Sequence, residues 1–106
     1  MKKTLFYISA FFSSFILSHP SFADTTCPKA KVESISVSDT AIFYVQAGAD
    51  IRALGNLSDP GAKEKMSLLL AAQASGKEVT VQYPVENYDC VNSNYSAFAK
   101  LVTIYN

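Results

Sequence analysis

The sequence predicts a small, mainly β domain with one helix and one disulfide bond. Three observations predict it: short segments in which apolar and polar residues alternate, one apolar run with helical spacing, and two cysteines in a chain with an export signal. The chain has 106 residues, and we expect residues 1–23 to be removed. The remainder, residues 24–106, has room for a single small domain.

Residues 1–23 have the features of a signal peptide. A pair of lysines precedes an apolar stretch over residues 5–17, and the segment ends on Ser21-Phe22-Ala23, a small-x-small cleavage pattern. The apolar stretch falls short of the ~20 residues that a membrane-spanning helix needs. We therefore expect an exported bacterial protein, periplasmic or secreted, without membrane insertion.

The first two strands and their turn follow the cleavage site. Lys31 to Val37 alternates imperfectly, and Ser38-Asp39-Thr40 then has turn chemistry. Ala41 to Ala47 is rich in β-branched and aromatic residues, with the Ile42/Tyr44/Gln46 set opposite the Phe43/Val45/Ala47 set. This pattern predicts a hairpin whose second strand is a central strand, partly covered on both faces.

A third strand, the helix and two further strands complete the domain. Ile51 to Leu57 follows the Gly48-Ala49-Asp50 turn as a strand weakened by its glycine. The helix is predicted from a cap at Ser58 or Asp59 to Gly76, with an apolar face. That face is formed by Ala62, Met66, Leu69, Leu70 and Gln73. Val79 to Tyr83 and Phe98 to Tyr105 alternate as the last strands.

The resulting order, β-β-β-α-β-β, is that of the OB-fold, a partly open barrel that binds oligosaccharides and oligonucleotides. A small α+β sheet with one helix across it fits the same order. Both architectures stay open at this point, because element order constrains topology without specifying it.

Composition excludes several functions. The only histidine, His19, lies in the removable segment, so the mature chain has neither His nor Trp. Ser-His-Asp catalysis, Cys-His catalysis and His-based metal sites are thereby excluded. The whole chain has nine Lys+Arg and nine Asp+Glu, and the loss of Lys2 and Lys3 leaves a net charge of −2, which argues against nucleic-acid binding. The acidic residues are spread singly along the chain, and the sequence has no glycine-rich phosphate-binding loop. We therefore expect that the chain is not an enzyme and binds no cofactor.

Cys27 and Cys90 are expected to form a disulfide, since an exported protein folds in an oxidising compartment. Such a bond closes a loop of 63 positions. The chain-entropy model values a loop of this length at roughly 4 kcal/mol. The bond would fasten the new N-terminus to a segment near the C-terminus.

The segment Glu86–Ser96, called the Asn-rich loop below, is the candidate binding region. It concentrates amides, hydroxyls and two tyrosines beside a cysteine that would hold its backbone still. Sugar recognition uses this mixture, although an ordinary polar connection has the same composition. The predicted ligand contacts are Tyr88, Asn92, Asn94 and Tyr95, with Arg52 and Gln46 as further candidates. Arg52 could pair with a sialic-acid carboxylate or lie in solvent, and the solvated interpretation is favoured.

The mature chain resembles the small receptor-binding B subunits of bacterial A-B toxins. Cys27 lies close after the signal peptide, a Met66-containing helix precedes a strand, and Cys90-Val91 opens an Asn-rich stretch before a final apolar strand. In the cholera-like branch a cysteine-valine pair precedes a sugar-contacting tryptophan and, two positions later, a sugar-contacting asparagine. Here Asn92 occupies the tryptophan position and Asn94 matches the asparagine.

The run from Met66 to Val81 is also similar to the helix, glycine turn and strand of pertussis-like and subtilase-type B subunits, which bind sialylated glycans. It is equally similar to short exported bacterial proteins of unknown role. The resemblance implies an OB-fold, a homo-oligomeric ring, a cell-surface glycan as ligand and an exported A chain as partner. The alternative is a monomeric exported protein that binds another protein, as inhibitors do.

Overall fold

The structure, a computed structural model, describes residues 23–106. In this part the chain is mainly β, with strands that form an antiparallel sheet, one helix and one disulfide, so the predicted fold class is confirmed. The predicted signal peptide lies outside the described residues except for Ala23. Within those residues no helix is both long enough and apolar enough to span a membrane.

Every predicted element is present, and one short strand was missed. The elements are β1 (Thr25–Thr26), β2 (Ala30–Val37), β3 (Ala41–Gln46), β4 (Arg52–Asn56), α1 (Ala62–Ser75), β5 (Glu78–Tyr83) and β6 (Leu101–Ile104). Two residues are too few to show a periodicity, which is why β1 has no signal in the sequence. The last strand begins at Leu101 rather than at Phe98, because the chain before it hydrogen-bonds to β4 through Asn94 and Ala99.

The sheet is built around a meander and a central strand. β2, β3 and β4 pair in succession as antiparallel neighbours, with Tyr44 opposite both Ile35 and Arg52. β5 pairs along one edge with β1 and β2 and along its other edge with β6. The spatial order is therefore β6, β5, the β1–β2 segment, β3 and β4.

The outer edge of β4 is covered by the chain that leads into β6. The backbone N–H of Ala53 donates to the Asn94 carbonyl (2.8 Å), and the N–H of Asn94 donates to the Ile51 carbonyl (3.1 Å). Arg52 and Asn94 form a parallel bridge, and Ala99 donates to Leu54 (3.0 Å). Because this segment continues directly into β6, the sheet curls back on itself, and Asn94 belongs to its hydrogen-bonded framework.

The ends of α1 are set by glycines with positive φ. Gly61 (φ 83°) precedes the helix and Gly76 (φ 71°) ends it, a backbone conformation that glycine adopts at little cost. The predicted stop at Gly76 is confirmed, whereas the predicted cap is wrong. Asp59 instead accepts a hydrogen bond from the Asn56 N–H (3.1 Å), so its carboxylate stabilises the turn before the helix.

One face of α1 closes the core over the sheet. Ala62, Leu69 and Ala72 are buried against strands β2, β4, β5 and β6. Leu70, predicted on the same face, is exposed, as is Leu68. The helix therefore presents apolar side chains to solvent as well as to the core, because its leucines are consecutive and consecutive residues of a helix cannot all share one face.

Candidate functional site

The predicted disulfide between Cys27 and Cys90 is present, with the two Cα atoms 5.5 Å apart. Cys27 is buried, and its N–H donates to the Val81 carbonyl on β5 (3.0 Å). The bond thus fastens the Asn-rich loop to the segment between β1 and β2. It also divides the loop into an inner half, residues 86–90, and an outer half, residues 91–96.

The inner half turns its tyrosine into the protein. The ring of Tyr88 stacks on the ring of Tyr83, with centroids 3.9 Å apart and planes 11° apart, and Tyr88 is only 7% exposed. Its backbone N–H donates to Thr25 Oγ1 (3.2 Å). Tyr88 was predicted as a ligand contact, but one face of its ring is covered by Tyr83 and the residue is buried.

The outer half begins with a turn held by Asp89. Asp89 Oδ1 accepts hydrogen bonds from the backbone N–H groups of Val91 (2.9 Å) and Asn92 (3.2 Å). Asp89 Oδ2 accepts a hydrogen bond from Asn92 Nδ2 (2.7 Å). These bonds, the one from Val91 foremost, lower the pKa of Asp89. Asn92 is exposed, with its amide nitrogen oriented by Asp89.

A second turn follows at Asn94. Its Oδ1 accepts hydrogen bonds from the N–H groups of Ser96 (3.0 Å) and Ala97 (2.9 Å), while its backbone pairs with β4. The predicted ligand residue Asn94 therefore shapes the loop with the oxygen of its side chain. Tyr95, between these bonds, is 61% exposed, and the edge-on contact of its ring with Phe43 has a centroid distance of 5.6 Å.

Arg52 and Gln46 lie inside the protein as a hydrogen-bonded pair. Arg52 is 1% exposed and Gln46 is 2% exposed, so the favoured interpretation of a solvated Arg52 is wrong. Arg52 Nη2 donates to Gln46 Oε1, and Gln46 Nε2 donates to the carbonyls of Val79 (3.0 Å) and Ala30 (3.2 Å). Gln46 therefore anchors the guanidinium to the β2 and β5 backbones.

Two tyrosines form a hydrogen-bonded chain beside this pair. The Tyr83 hydroxyl donates to the Ala53 carbonyl (2.9 Å), so the hydroxyl of Tyr44, 2.6 Å away, donates to Tyr83. The Arg52 Cζ lies 5.0 Å from the centroid of the Tyr44 ring and 6.0 Å from that of Tyr83, within the range of cation–π attraction.

Burial keeps these phenols neutral. It raises the pKa of Tyr44 to about 12, against the opposing effects of Arg52 and the Tyr83 hydrogen bond. Burial is also the main reason that the pKa values of Tyr83 and Tyr88 lie above the ordinary tyrosine range. None of the three phenols can therefore supply a negative charge to Arg52 near neutral pH.

A cavity of about 190 Å³, called the Arg52 cavity below, lies where these parts meet. Residues from four places line it: Arg52 and Gln46 from the sheet, Cys27 and Lys29 from the segment after β1, residues 47–49 from the turn after β3, and Cys90 and Val91 from the Asn-rich loop. A second, open hollow adjoins it, between Gly48–Asp50 and the outer half of the loop. The cavity can accept a small polar group at the base of the exposed loop.

Sequence reasoning missed this buried polar cluster. One signal was present: Gln46 shares an alternating face of β3 with Ile42 and Tyr44, so the burial of that face places Gln46 inside. The position of Arg52 depends on pairing across strands, which the sequence does not show. Among residues 23–106 no group of three or more metal-ligating side chains occurs.

Comparisons with known proteins give no match: no family model matches the chain, and neither a curated protein nor a solved structure is significantly similar to it. The resemblance to toxin B subunits therefore stays a prediction.

Proposed function

We propose that this chain is an exported, non-catalytic binding module that recognises a cell-surface glycan with the outer half of the Asn-rich loop. One observation carries the proposal. The loop is fixed by the disulfide, by Asp89 and by Asn94, and yet it exposes Tyr95 and also Asn92, which lines the hollow next to the Arg52 cavity. A polar surface that is already ordered loses little conformational entropy on binding.

The exposed groups have the chemistry that sugars require. Asn92 and Ser93 offer amide and hydroxyl groups for ring hydroxyls, and Tyr95 offers an aromatic surface for the apolar side of a ring. Val91, 58% exposed, extends the apolar part of this surface. A single site of this size binds weakly, so several copies in one assembly would strengthen attachment to a cell surface.

The strand arrangement supports an OB-type barrel, and exposed leucines on the helix support a homo-oligomeric ring. The β2-β3-β4 meander, the helix before β5 and the parallel bridge from β4 to Asn94 suit a barrel of this type. The exposed Leu68 and Leu70 of α1 offer an apolar contact between copies. An exported A chain would be a further partner of such a ring.

Native mass spectrometry of the oxidised chain 24–106, followed by a multivalent glycan array, tests the proposal. We expect a ring, with pentamers as the leading form, and glycan signals that Tyr95→Ala abolishes. Tyr105→Ala is the matched control, since it removes another exposed tyrosine from the end of the chain. Absence of signals at high glycan density contradicts the proposal.

A second candidate is a monomeric protein-binding role of the inhibitor type. It is favoured by the exposure of both Val91 and Tyr95 in the outer half of the loop, because aromatic and aliphatic groups on a rigid loop also suit a protein interface. A monomer at micromolar concentration with no glycan signal would favour this role. A neighbouring gene for an exported A chain would favour the glycan-binding ring.

A further inference from the structure

Arg52 is a buried cation without a charged partner. Of its guanidinium nitrogens only Nη2 has an acceptor, Gln46 Oε1, whereas Nε and Nη1 have none within residues 23–106. A guanidinium stays protonated in proteins. The single ion pair in this part of the chain joins Lys100 to Asp24 at the surface. A buried charge left in this state is costly, so its retention calls for a compensating partner.

The protein compensates this charge only in part. The rings of Tyr44 and Tyr83 attract the cation through their faces, but a ring face does not replace a hydrogen-bond acceptor for Nε and Nη1. The phenols cannot neutralise the charge, because burial raises their pKa values. The unsatisfied N–H groups therefore need an acceptor from outside the described chain.

The Arg52 cavity gives such an acceptor a place. None of its lining residues is acidic, so the wall holds no carboxylate that could neutralise Arg52. Lys29 also lines the cavity, but its ammonium nitrogen lies 4.7 Å from the centroid of the Tyr105 ring. Asp50, which lines the adjoining hollow, is held by a hydrogen bond from the Ile51 N–H (2.7 Å). The charge that the cavity wall presents is therefore that of Arg52.

We propose that the Arg52 cavity binds a carboxylate group of the ligand. A carboxylate supplies one negative charge for one guanidinium and lone pairs for Nε and Nη1. The proposal rests on the proposed function, because the remainder of a sugar acid would extend from the cavity over the outer half of the Asn-rich loop. Nε and Nη1 are covered in this structure, so binding requires a movement of the cavity wall. The adjacent wall, Ala47-Gly48-Ala49, has only small side chains to displace.

Arg52 is the only arginine in the sequence, which makes a direct test possible. In the ¹⁵N-labelled, oxidised chain 24–106, the arginine Nε–H signal belongs to this residue alone. We expect D-glucuronate to shift that signal saturably and the neutral D-glucuronamide to leave it in place. An unmoved signal with glucuronate, equal shifts with both probes, or tighter binding of inorganic phosphate would overturn the proposal.

Variants separate a binding role of Arg52 from a structural one. Arg52→Met removes the charge with little change in volume, and we expect it to weaken glucuronate binding about tenfold or more. Lys29→Gln should weaken it by less than about twofold, because the Lys29 ammonium lies over the Tyr105 ring, and Lys63→Gln, which removes a cation from α1, should have no effect. If Arg52→Met fails to fold, the wild-type titration still decides the matter.

The outcomes also distinguish this inference from the proposed function. Acetate and glucuronate shifting the Arg52 signal, with no glycan signal on the array, would support the carboxylate site and contradict glycan recognition. Binding of neutral glycans with an unmoved Arg52 signal would support glycan recognition and overturn the carboxylate site.

Discussion

The two halves of the Asn-rich loop have similar composition, but one half buries its tyrosine and the other exposes its tyrosine to solvent. The inner half, residues 86–90, buries Tyr88 against Tyr83, whereas the outer half, residues 91–96, exposes Tyr95 and Asn92. The tyrosine of the inner half packs in the core, whereas the tyrosine of the outer half is available to contact a ligand. The difference arises from what each half lies against: the inner half meets the tyrosine cluster of the core, and the outer half borders the edge of β4.

Removing the disulfide should have one of the two largest effects, because the bond holds both halves. We expect the double variant Cys27→Ser/Cys90→Ser to lose roughly 4 kcal/mol of unfolding free energy, through the greater entropy of its unfolded chain. Urea denaturation, with the reduced wild-type chain as the matched control, measures this loss. A loss below about 1 kcal/mol would show that hydrogen bonds alone hold the loop.

Truncating the two tyrosines tests the division of the loop directly. Tyr88→Ala should cost about 3–5 kcal/mol of unfolding free energy, since it empties a buried stacking site. Tyr95→Ala should cost only about 0.5–1.5 kcal/mol, the worth of an aromatic contact such as that with Phe43. Thermal and urea denaturation of the two variants gives the comparison. Equal losses of unfolding free energy in the two variants would contradict the assignment of Tyr88 to the core and of Tyr95 to the surface.

Removing single hydroxyls sharpens the comparison inside the core. Tyr83→Phe deletes the hydroxyl that donates to Ala53 and accepts from Tyr44, and should cost about 1–3 kcal/mol. Tyr88→Phe deletes a buried hydroxyl that has no partner within residues 23–106, and should change stability by less than about 0.5 kcal/mol or raise it. A large loss in Tyr88→Phe would reveal a partner for that hydroxyl.

Acid should loosen the outer half through Asp89, with the smallest effect. Because the folded pKa of Asp89 lies below its unfolded value, the carboxylate stabilises the fold above the unfolded pKa. This contribution is lost as the pH falls through the folded pKa. We expect the stability difference between wild type and Asp89→Asn to shrink over that acid range, measured by urea denaturation at several pH values. Glu86→Gln is the control in the same loop, and a difference independent of pH would contradict the assignment.

Local sequence signals predicted only part of the candidate site. The concentration of polar residues identified the Asn-rich loop, and the cysteines identified its anchor. The sequence could not divide the loop, since Tyr88 and Tyr95 have equally polar neighbours. It also could not place Arg52, because its burial depends on Gln46 and on two tyrosines from other strands.

The sequence by itself determined the class of fold, the order of the elements, the end of α1 and the disulfide, because these follow from short-range periodicity, from glycine and from the count of cysteines. Only the tertiary structure decided which polar residues face inward. That choice depends on strand register and on segments distant in sequence: the pairing of Asn94 with β4 and the stacking of Tyr88 on Tyr83. A side chain's environment is the sum of such long-range contacts, which a local pattern does not contain.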